Sequence, residues 1–451
     1  MLLAIGLSLL VVGLTDPGMG REDTAPKLVV HEWGTFTSLQ DEDGKAVGGI
    51  NTDDEPVPAF VHQLRKLLLI EPTDLPPSFF QGAPHCHPDV NLRLETPVLY
   101  FYPPKPCSNP VTADVRVRFR GGWLTEFYPD AVADAPGLAS GTFNFGHLFS
   151  EHTGSLSWKS LTIGGQGRGP QTTDHVWTSP RQVKAVSVTS TGGESEKFLF
   201  YRGVGHVDAP LRISQEKGCL VIRSQLGPLL KFAAPLRINK LWLADIRSDR
   251  SVAFRMMDPM IVSGDTERIA ATIPMAFSEE RYSEGNLKRL CAAMHAALVH
   301  EGLFDDEASA LLRTWELSYF KSPGLRLFFL VPQAWVDHHL PLEVSLPAQT
   351  KRAMVGRIEL VTPQHRKLLS KIAAGPASDG RWRDEFLIRT RTTVNLFTKI
   401  DATIPIPEDY RAYINLGRFR NALVLDEEKR RPTKSLKQFI GYYGLGAYEV
   451  K

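Results

Sequence analysis

The spacing of apolar residues predicts strands in the first part of the chain. Val115–Phe119 alternates apolar residues with Arg, which predicts a half-buried antiparallel strand. Thr96–Tyr102 is almost continuously β-branched or aromatic, which predicts a strand buried on both faces. Many short strands at this spacing predict an antiparallel β-sandwich region, of one or two sandwiches, over residues 27–275. The other predicted strands are Trp123–Tyr128, Leu156–Ile163, Val183–Thr189, Lys197–Tyr201, Cys219–Arg223, Leu236–Ile246, Val252–Met256 and Arg268–Ile273.

After residue 274 the apolar residues follow the spacing of helices. A helix is predicted to begin near Ser283 and to end at Gly302, and a second one to begin at Asp305. Thr362 followed by Pro363 predicts a capped helix through residue 374. Residues 280–451 are therefore predicted to form a smaller mixed α/β or α+β region, so the whole chain is expected to be a multi-domain α+β protein. The remaining predicted elements are strands at Leu325–Val331 and Arg352–Val361, a short helix at Pro332–His339 and a helix within Glu408–Glu428.

Composition and charge agree with a folded protein and exclude some partners. The chain has 451 residues, of which 43% are hydrophobic and 23% charged, as in globular proteins. This length predicts two or three domains. The 52 basic and 50 acidic residues leave a formal net charge of +2, which does not favour binding to nucleic acid or to an anionic membrane surface.

The N-terminus has the pattern of an export signal. Leu2–Leu14 is apolar apart from Gly and one Ser, and small residues at 18–20 offer a cleavage point. The apolar run is too short to span a bilayer comfortably, and no basic residue precedes it. Residues 1–20 are predicted to be a signal peptide, with an uncleaved anchor as the alternative. The protein is therefore expected to be exported, periplasmic or extracellular, with no transmembrane span in the mature chain.

The block HEWGTFTS (His31–Ser38) is predicted to be the first strand of the exported fold. Side chains alternate between the two faces of a strand, so Glu32 should face one side, and His31 and Trp33 the other. The block thus places an imidazole and a carboxylate next to each other in a segment rich in β-formers. Two interpretations are open: a buried structural strand, and part of an active site.

The candidate catalytic residues are His31, Glu32, Arg202 and His206. Arg202 and His206 belong to the glycine-containing segment Tyr201–Asp208, which lets the backbone approach a ligand while the Arg offers a planar fork to an anion. If the two strand ends meet, His31 or Glu32 can act as a general acid or base, and Arg202 can stabilise developing charge. The favoured alternative is an ion pair between Arg202 and Glu32 that anchors two strands.

The candidate metal ligands are His85, His87 and Asp89. The prolines at 84 and 88 favour extended backbone, on which side chains at i and i+2 point the same way. Two imidazoles on one side suit Zn²⁺ or Cu²⁺. The favoured alternative is a proline-rich surface loop with a disulfide between Cys86 and Cys107, since further ligands are not identified.

Two weaker patterns concern calcium and carbohydrate. The acidic segments Asp41–Asp43 and Asp53–Glu55 could coordinate Ca²⁺, although a solvated acidic loop is favoured. On an exposed sheet face, aromatic side chains could stack on a sugar, whereas packing in the core is the favoured interpretation. The aromatic residues concerned are Trp33, Trp123, Tyr128, Trp158 and Trp177.

Four blocks carry a resemblance to a known family. They are HEWGTFTS (His31–Ser38), ETPVLYFY (Glu95–Tyr102), EKFLFYRGVG (Glu196–Gly205) and VGRIELVTP (Val355–Pro363). With them the chain resembles a family of uncharacterised exported bacterial proteins. The resemblance implies export and a two-part architecture, and it implies no activity.

The sequence leaves two classes of function. The favoured one is an exported cell-envelope protein with a non-catalytic binding or structural role. The sequence does not identify its ligand, and the candidate partners are a carbohydrate and another envelope component. The alternative is a metal-assisted hydrolase with its site at the rim of the β-sandwich. Packed, ion-paired side chains at the candidate positions favour the first, and an open pocket that holds three or more of them favours the second.

Overall fold

A computed structural model of the protein describes most of the chain. The described residues are 28–51, 57–64, 79–80, 83–104, 109–138, 145–224, 235–262, 268–375 and 406–446. The strands are β1 (Leu28–Gln40), β2 (His62–Gln63), β3 (Phe79–Phe80), β4 (Ala83–Pro84), β5 (Leu92–Tyr102), β6 (Val111–Arg120), β7 (Gly122–Tyr128), β8 (Val132–Asp134), β9 (Thr153–Ile163), β10 (Val188–Thr189), β11 (Ser195–Glu196), β12 (Leu199–Gly205), β13 (Leu211–Glu216), β14 (Cys219–Ser224), β15 (Leu236–Ile238), β16 (Leu241–Ile246), β17 (Val252–Met257), β18 (Met260–Val262), β19 (Ile269–Pro274), β20 (Gly324–Leu330), β21 (Leu342–Val344) and β22 (Ala348–Leu360). The α-helices are His175–Thr178, Gly285–His300, Asp305–Thr314, Gln333–His339, Pro363–Ala374, Glu408–Asn415, Arg420–Arg430 and Lys434–Tyr443.

One large sheet organises the described residues. Its central path runs β11-β10-β9-β7-β12-β5-β1-β22-β20-β16-β17, and most of its pairings are antiparallel. β1 lies near the middle, antiparallel to β5 and parallel to β22 along the full length of both strands. The α+β class is thereby confirmed, whereas the β-sandwich remains a prediction.

The pairing of β1 with β22 is a finding that the strand patterns did not anticipate. It joins Leu28–Gln40, near the start of the described chain, to Ala348–Leu360. Parallel neighbours require a long connection between them, and here the connection contains most of the other elements. Strands from both predicted regions, residues 27–275 and 280–451, therefore belong to one sheet.

The core consists of three hydrophobic clusters on the two faces of this sheet. The first cluster lies on one face and contains Val30 of β1 together with side chains of the three-stranded sheet β13-β14-β19. The second lies on the opposite face, where Trp33 packs with the helices Gly285–His300 and Asp305–Thr314. The third cluster lies on the same face as the second and packs against the C-terminal helices. The central strands are thus covered on both sides, which explains their nearly complete burial.

Local signals placed several elements correctly. Thr362 caps the helix Pro363–Ala374, since its side-chain oxygen accepts a hydrogen bond from the backbone of His365. The segment predicted as one strand over Val183–Thr189 is strand only at its last two residues. Among the described helices, none is both long enough and apolar enough to cross a membrane.

Candidate functional site

The two faces of β1 follow the predicted alternation. Val30 belongs to the first cluster, and Trp33 belongs to the second. Glu32 bonds the hydroxyl of Tyr201, another member of the first cluster. His31 contacts the helix Asp305–Thr314, which packs in the second cluster. The two adjacent titratable side chains of the block therefore lie on opposite sides of the sheet.

His31 is held by a buried carboxylate. Its Nδ1 lies 2.8 Å from Oε2 of Glu307, a residue with no exposed surface. Glu307 also accepts hydrogen bonds from the Tyr102 hydroxyl at 2.8 Å and from the backbone N–H of Phe304 at 2.7 Å. The imidazole packs against the Phe304 ring, with 4.6 Å between centroids. This arrangement joins β1 and β5 to the start of a helix.

Glu32 forms an ion pair with Arg352 and not with Arg202. Residues 32 and 352 face each other in the parallel register of β1 and β22, and the Arg352 Nε donates to Glu32 Oε2 at 2.5 Å. Burial and the neighbouring Glu32 raise the pKa of Tyr201 well above its usual value, so its hydroxyl remains a hydrogen-bond donor. Although burial disfavours a charged guanidinium, Glu32 raises the pKa of Arg352. The expected Arg202–Glu32 ion pair is therefore wrong, because Arg202 follows Tyr201 and faces the opposite side.

Arg202 and His206 occupy separate places. The Arg202 guanidinium is buried 3.7 Å from Oε2 of Glu126 and 5.8 Å from the Trp315 ring centroid. His206 is exposed, and its Nδ1 donates to the backbone oxygen of Asp89 at 2.7 Å. The four candidate catalytic residues therefore contact four different partners: Glu307, Arg352, Glu126 and the backbone of Asp89. They do not line one shared cleft.

The predicted zinc or copper site does not have the expected geometry, in which His85 and His87 point the same way. Cys86, between the two histidines, has a φ of 53°, so this segment is not extended and the i, i+2 rule does not apply. The His85 Nε2 contacts the Asn421 side chain at 2.8 Å, whereas the His87 Nε2 donates to the backbone oxygens of Phe145 and Gly146, each at 3.1 Å. The described residues contain no group of three or more His, Cys, Asp or Glu side chains suited to hold a metal ion.

Burial explains the chemistry of this segment. Desolvation lowers the pKa of His85 to about 4, with a further contribution from the positive charge of Arg420. Desolvation also lowers the pKa of His87 and raises that of the Cys86 thiol to about 12. Cys86 is a free, buried cysteine, and Cys107 lies outside the described residues. Asp89 pairs with His147, with 2.9 Å between Oδ2 and Nδ1.

The calcium and carbohydrate patterns have structural explanations where they are described. Asp41 accepts hydrogen bonds from the backbone of residues 43 and 45, and Glu42 binds Arg366. Asp53–Glu55 lies outside the described residues. The five aromatic residues considered for sugar stacking are all buried and confirm the core interpretation: Trp33, Trp123, Tyr128, Trp158 and Trp177.

A band of buried charge crosses the sheet between the second and third clusters. On β22, Val355 belongs to the second cluster, Val361 beyond its end belongs to the third, and Arg357 and Glu359 lie between them. Arg202 has the same position on β12, between Phe200 and Val204. We call this group the arginine band; its members are Arg93, Glu95, Glu126, Arg202, Arg326, Arg357, Glu359 and Arg418.

Two carboxylates organise the central part of the arginine band. Glu95 pairs with Arg93 and Arg418, and its Oε2 accepts a hydrogen bond from the Thr37 hydroxyl at 2.9 Å. On the other side of β1, Glu359 pairs with Arg357 and Arg326. These contacts are buried ion pairs between arginines and glutamates. Among the described members of the band, none forms an acid and base pair at an open surface.

Sequence reasoning found only one member of this band, Arg202. A signal for two others was present, since Arg326 and Arg357 are charged residues inside apolar segments predicted to be strands. Arg418 lies between two helices and reaches Glu95 across 323 positions of sequence. Its participation follows only from the tertiary fold.

Comparisons with known proteins identify no family. No family model matches the sequence, and no curated protein matches it. Among solved structures, the chain is similar to the Fcho1 Mu homology domain of Danio rerio with bound Eps15 peptide. The identity is 8%, the match covers 74% of this chain and 97% of that one, and the TM-score is 0.28. A similarity at this level assigns neither a fold nor a function.

Proposed function

We propose that this chain is an exported cell-envelope protein with a non-catalytic binding or structural role. The observation that carries the proposal is the state of the candidate catalytic residues. Glu32 is buried, and its carboxylate is bonded by Arg352 and Tyr201. A general base has to reach the proton that it removes, and these contacts keep Glu32 from a substrate. His31 is similarly held by Glu307.

The proposed location and architecture depend on sequence patterns. Export is supported by the apolar segment Leu2–Leu14, which lies outside the described residues. The resemblance of the four blocks to those of exported bacterial proteins supports the same location. The proposed architecture is an N-terminal β-sandwich region over residues 27–275 and a smaller region over residues 280–451, which share the large sheet through β1 and β22.

The alternative is a hydrolase that uses His31. Its support is the 2.8 Å contact between His31 Nδ1 and Glu307 Oε2, because a carboxylate commonly orients the imidazole of a general base. In that case Glu307 orients the ring, and the Tyr102 hydroxyl, which bonds the same carboxylate, orients Glu307.

One pair of variants separates these roles. The wild-type protein and the variants His31→Gln and Glu32→Gln are assayed on ester, phosphoester and peptide substrates, with and without added Zn²⁺. For a non-catalytic protein we expect no turnover by any of the three, together with a lower unfolding midpoint for Glu32→Gln. Turnover by the wild type that His31→Gln abolishes without a change in stability would establish the hydrolase instead.

A further inference from the structure

The connection between the last two described helices carries a concentration of positive charge. Residues 429–437 contain five basic side chains and no acidic one, although the whole chain has a net charge of only +2. Arg430 turns toward carboxylates, among them Glu42 at 3.3 Å. The other four basic side chains are exposed. We call them the basic corner, and they are Lys429, Arg431, Lys434 and Lys437.

No carboxylate is paired with the basic corner within the described part of the chain. None of its four side chains forms an ion pair with a described Asp or Glu. The acidic residues just before it bind other groups, since Glu427 pairs with Arg366 at 2.6 Å. Asp426 similarly lies 3.7 Å from the Arg430 guanidinium. With Glu428 counted against the four cations of the corner, a local surplus of +3 (4 minus 1) remains at the surface.

Helix stability does not explain the two lysines of the last helix. Lys434 is the first residue of the helix Lys434–Tyr443, and Lys437 lies at the end of its first turn. The N-terminal end of a helix has a partial positive charge, so cations are unfavourable there. Like charges three positions apart also repel each other. By contrast, Lys429 lies in the last turn of its helix, where a cation is favourable. Lys434 and Lys437 therefore cost the fold some stability, which points to a partner outside the fold.

The two lysines lie on one exposed face of the last helix. Residues three, four and seven positions apart share a helix face. On this face all four residues are exposed: Lys434, Lys437, Gln438 and Gly441. The opposite face is buried in the third cluster through Leu436 and Phe439. The exposed face has no carboxylate and no aromatic or large apolar side chain, so it can approach a negatively charged surface closely.

The type of cation indicates the type of partner. Three of the four members of the basic corner are lysines, whose ammonium groups are compact point charges on flexible stems. Arg, in contrast, presents a planar fork that suits one phosphate in a fixed position. Stacking of nucleic-acid bases needs aromatic side chains, and the exposed face of the last helix has none. Flexible point charges suit a surface with many mobile negative groups, such as the headgroups of anionic phospholipids.

We propose that the basic corner binds the surface of a bilayer that contains anionic phospholipids. The contact is peripheral, with the cations of the corner at the headgroups and the last helix outside the apolar layer. This proposal deepens the cell-envelope role and rests on it, because export places the protein beside such a bilayer. The low net charge of the whole chain does not oppose it, since exposed charges are screened beyond about 10 Å at ~0.1 M salt and only nearby charges act.

Co-sedimentation of the full-length protein with vesicles tests the proposal. One vesicle preparation contains phosphatidylcholine alone, and the other contains phosphatidylcholine and phosphatidylglycerol in equal amounts. At low ionic strength we expect stronger binding to the anionic vesicles, and high salt should abolish this difference because it screens exposed charges. The apolar segment Leu2–Leu14 would bind both preparations, so the difference between them isolates the effect of charge. Equal binding to both, or no binding to the anionic vesicles, would overturn the proposal.

Two double variants locate the site. Lys434→Gln combined with Lys437→Gln removes two of the four charges and should weaken binding to anionic vesicles by about thirty-fold. Its unfolding midpoint should equal or exceed that of the wild type, because unfavourable charges leave the start of a helix. The matched control combines Lys288→Gln with Arg289→Gln, two exposed cations on the helix Gly285–His300, and should leave binding unchanged. Equal weakening in both double variants, or in neither, would mean that the corner is not the binding surface.

A soluble polyanion is the other occupant that positive charge alone would allow. Dextran sulfate therefore serves as a separate probe, and its binding without binding of anionic vesicles would refute the bilayer in favour of a soluble partner. The location is tested independently, by fractionation of cells that produce the protein. An exported protein that does not bind anionic vesicles would refute the basic corner and leave the cell-envelope role standing. Vesicle binding by a protein that stays in the cytosol would refute the cell-envelope role and support the corner alone.

Discussion

Replacement of Glu32 by Gln is expected to destabilise the protein by about 3 kcal/mol. The Glu32 and Arg352 side chains are 1% and 2% exposed, so the variant leaves a buried guanidinium without its main counter-charge. Breaking a buried pair in this way costs about 3–5 kcal/mol. We expect the lower end, because Asp337 remains 2.9 Å from Arg352 Nη1 but is 51% exposed, where solvent weakens its attraction.

Urea unfolding followed by tryptophan fluorescence measures this loss. The matched control is Glu343→Gln, which breaks the ion pair between Arg118 on β6 and Glu343 on β21. These side chains are 32% and 54% exposed, so the control should lose at most about 1 kcal/mol. The difference between the two variants isolates the effect of burial.

A double-mutant cycle tests whether the two charges act on each other. Arg352→Met alone leaves Glu32 buried without its cation, so this variant should also lose stability. The variant that combines Glu32→Gln with Arg352→Met should lose less than the sum of the single losses, by at least about 1 kcal/mol. Additive losses, or a cost of Glu32→Gln no greater than that of Glu343→Gln, would refute the reasoning.

Three further outcomes are expected. Burial alone would raise the pKa of Glu42, but hydrogen bonding and charge from Arg366 lower it to about 2 from a reference value of 4.5. A carboxyl group whose pKa is lowered by folding stabilises the folded state at pH values above its unfolded-state pKa. In urea unfolding, the stability advantage of the wild type over Glu42→Gln should therefore be full above about pH 5 and should disappear as the pH falls from 4.5 to about 2. An advantage that is independent of pH would contradict this. The variant His87→Ala loses the hydrogen bonds of His87 to two backbone carbonyls, so its unfolding midpoint should fall. Its zinc and copper content, measured by mass spectrometry, should equal that of the wild type. Loss of a stoichiometric metal would contradict this. Burial raises the pKa of the Cys86 thiol to about 12, so Cys86 should react with a disulfide reagent only when the protein unfolds. Its reaction should therefore be slower than that of the partly exposed Cys219. Equal rates in the folded protein would contradict this.

The local elements could be predicted because their signals lie close together in sequence. The cap of Pro363–Ala374 depends on Thr362 and a residue three positions later. The alternation in β6 and β9 similarly reports burial on one face, because a strand repeats every two residues. The separation of His31 and Glu32 onto opposite faces of β1 follows from the same period.

The candidate site could be predicted only in part. Arg202 was predicted to bind an anionic group, and it lies in the arginine band beside Glu126. Its partner was not recognised, because the choice between Glu32 and Glu126 depends on which face of β12 carries residue 202. His85 and His87 do not form the expected metal site. The backbone of Cys86 between them is in the left-handed region, so the two histidine side chains contact different partners.

The sequence by itself determined the α+β class, most strand and helix positions and the burial of the aromatic residues, since propensity and periodicity act within a few residues. Only the tertiary structure decided that β1 pairs with β22 and that Glu32 meets Arg352, 320 positions away. It also brought the arginines of four strands and of one connection between helices into one band. Contacts of this kind depend on sheet order and register, and the free energy that selects them comes from packing both faces of the sheet at once.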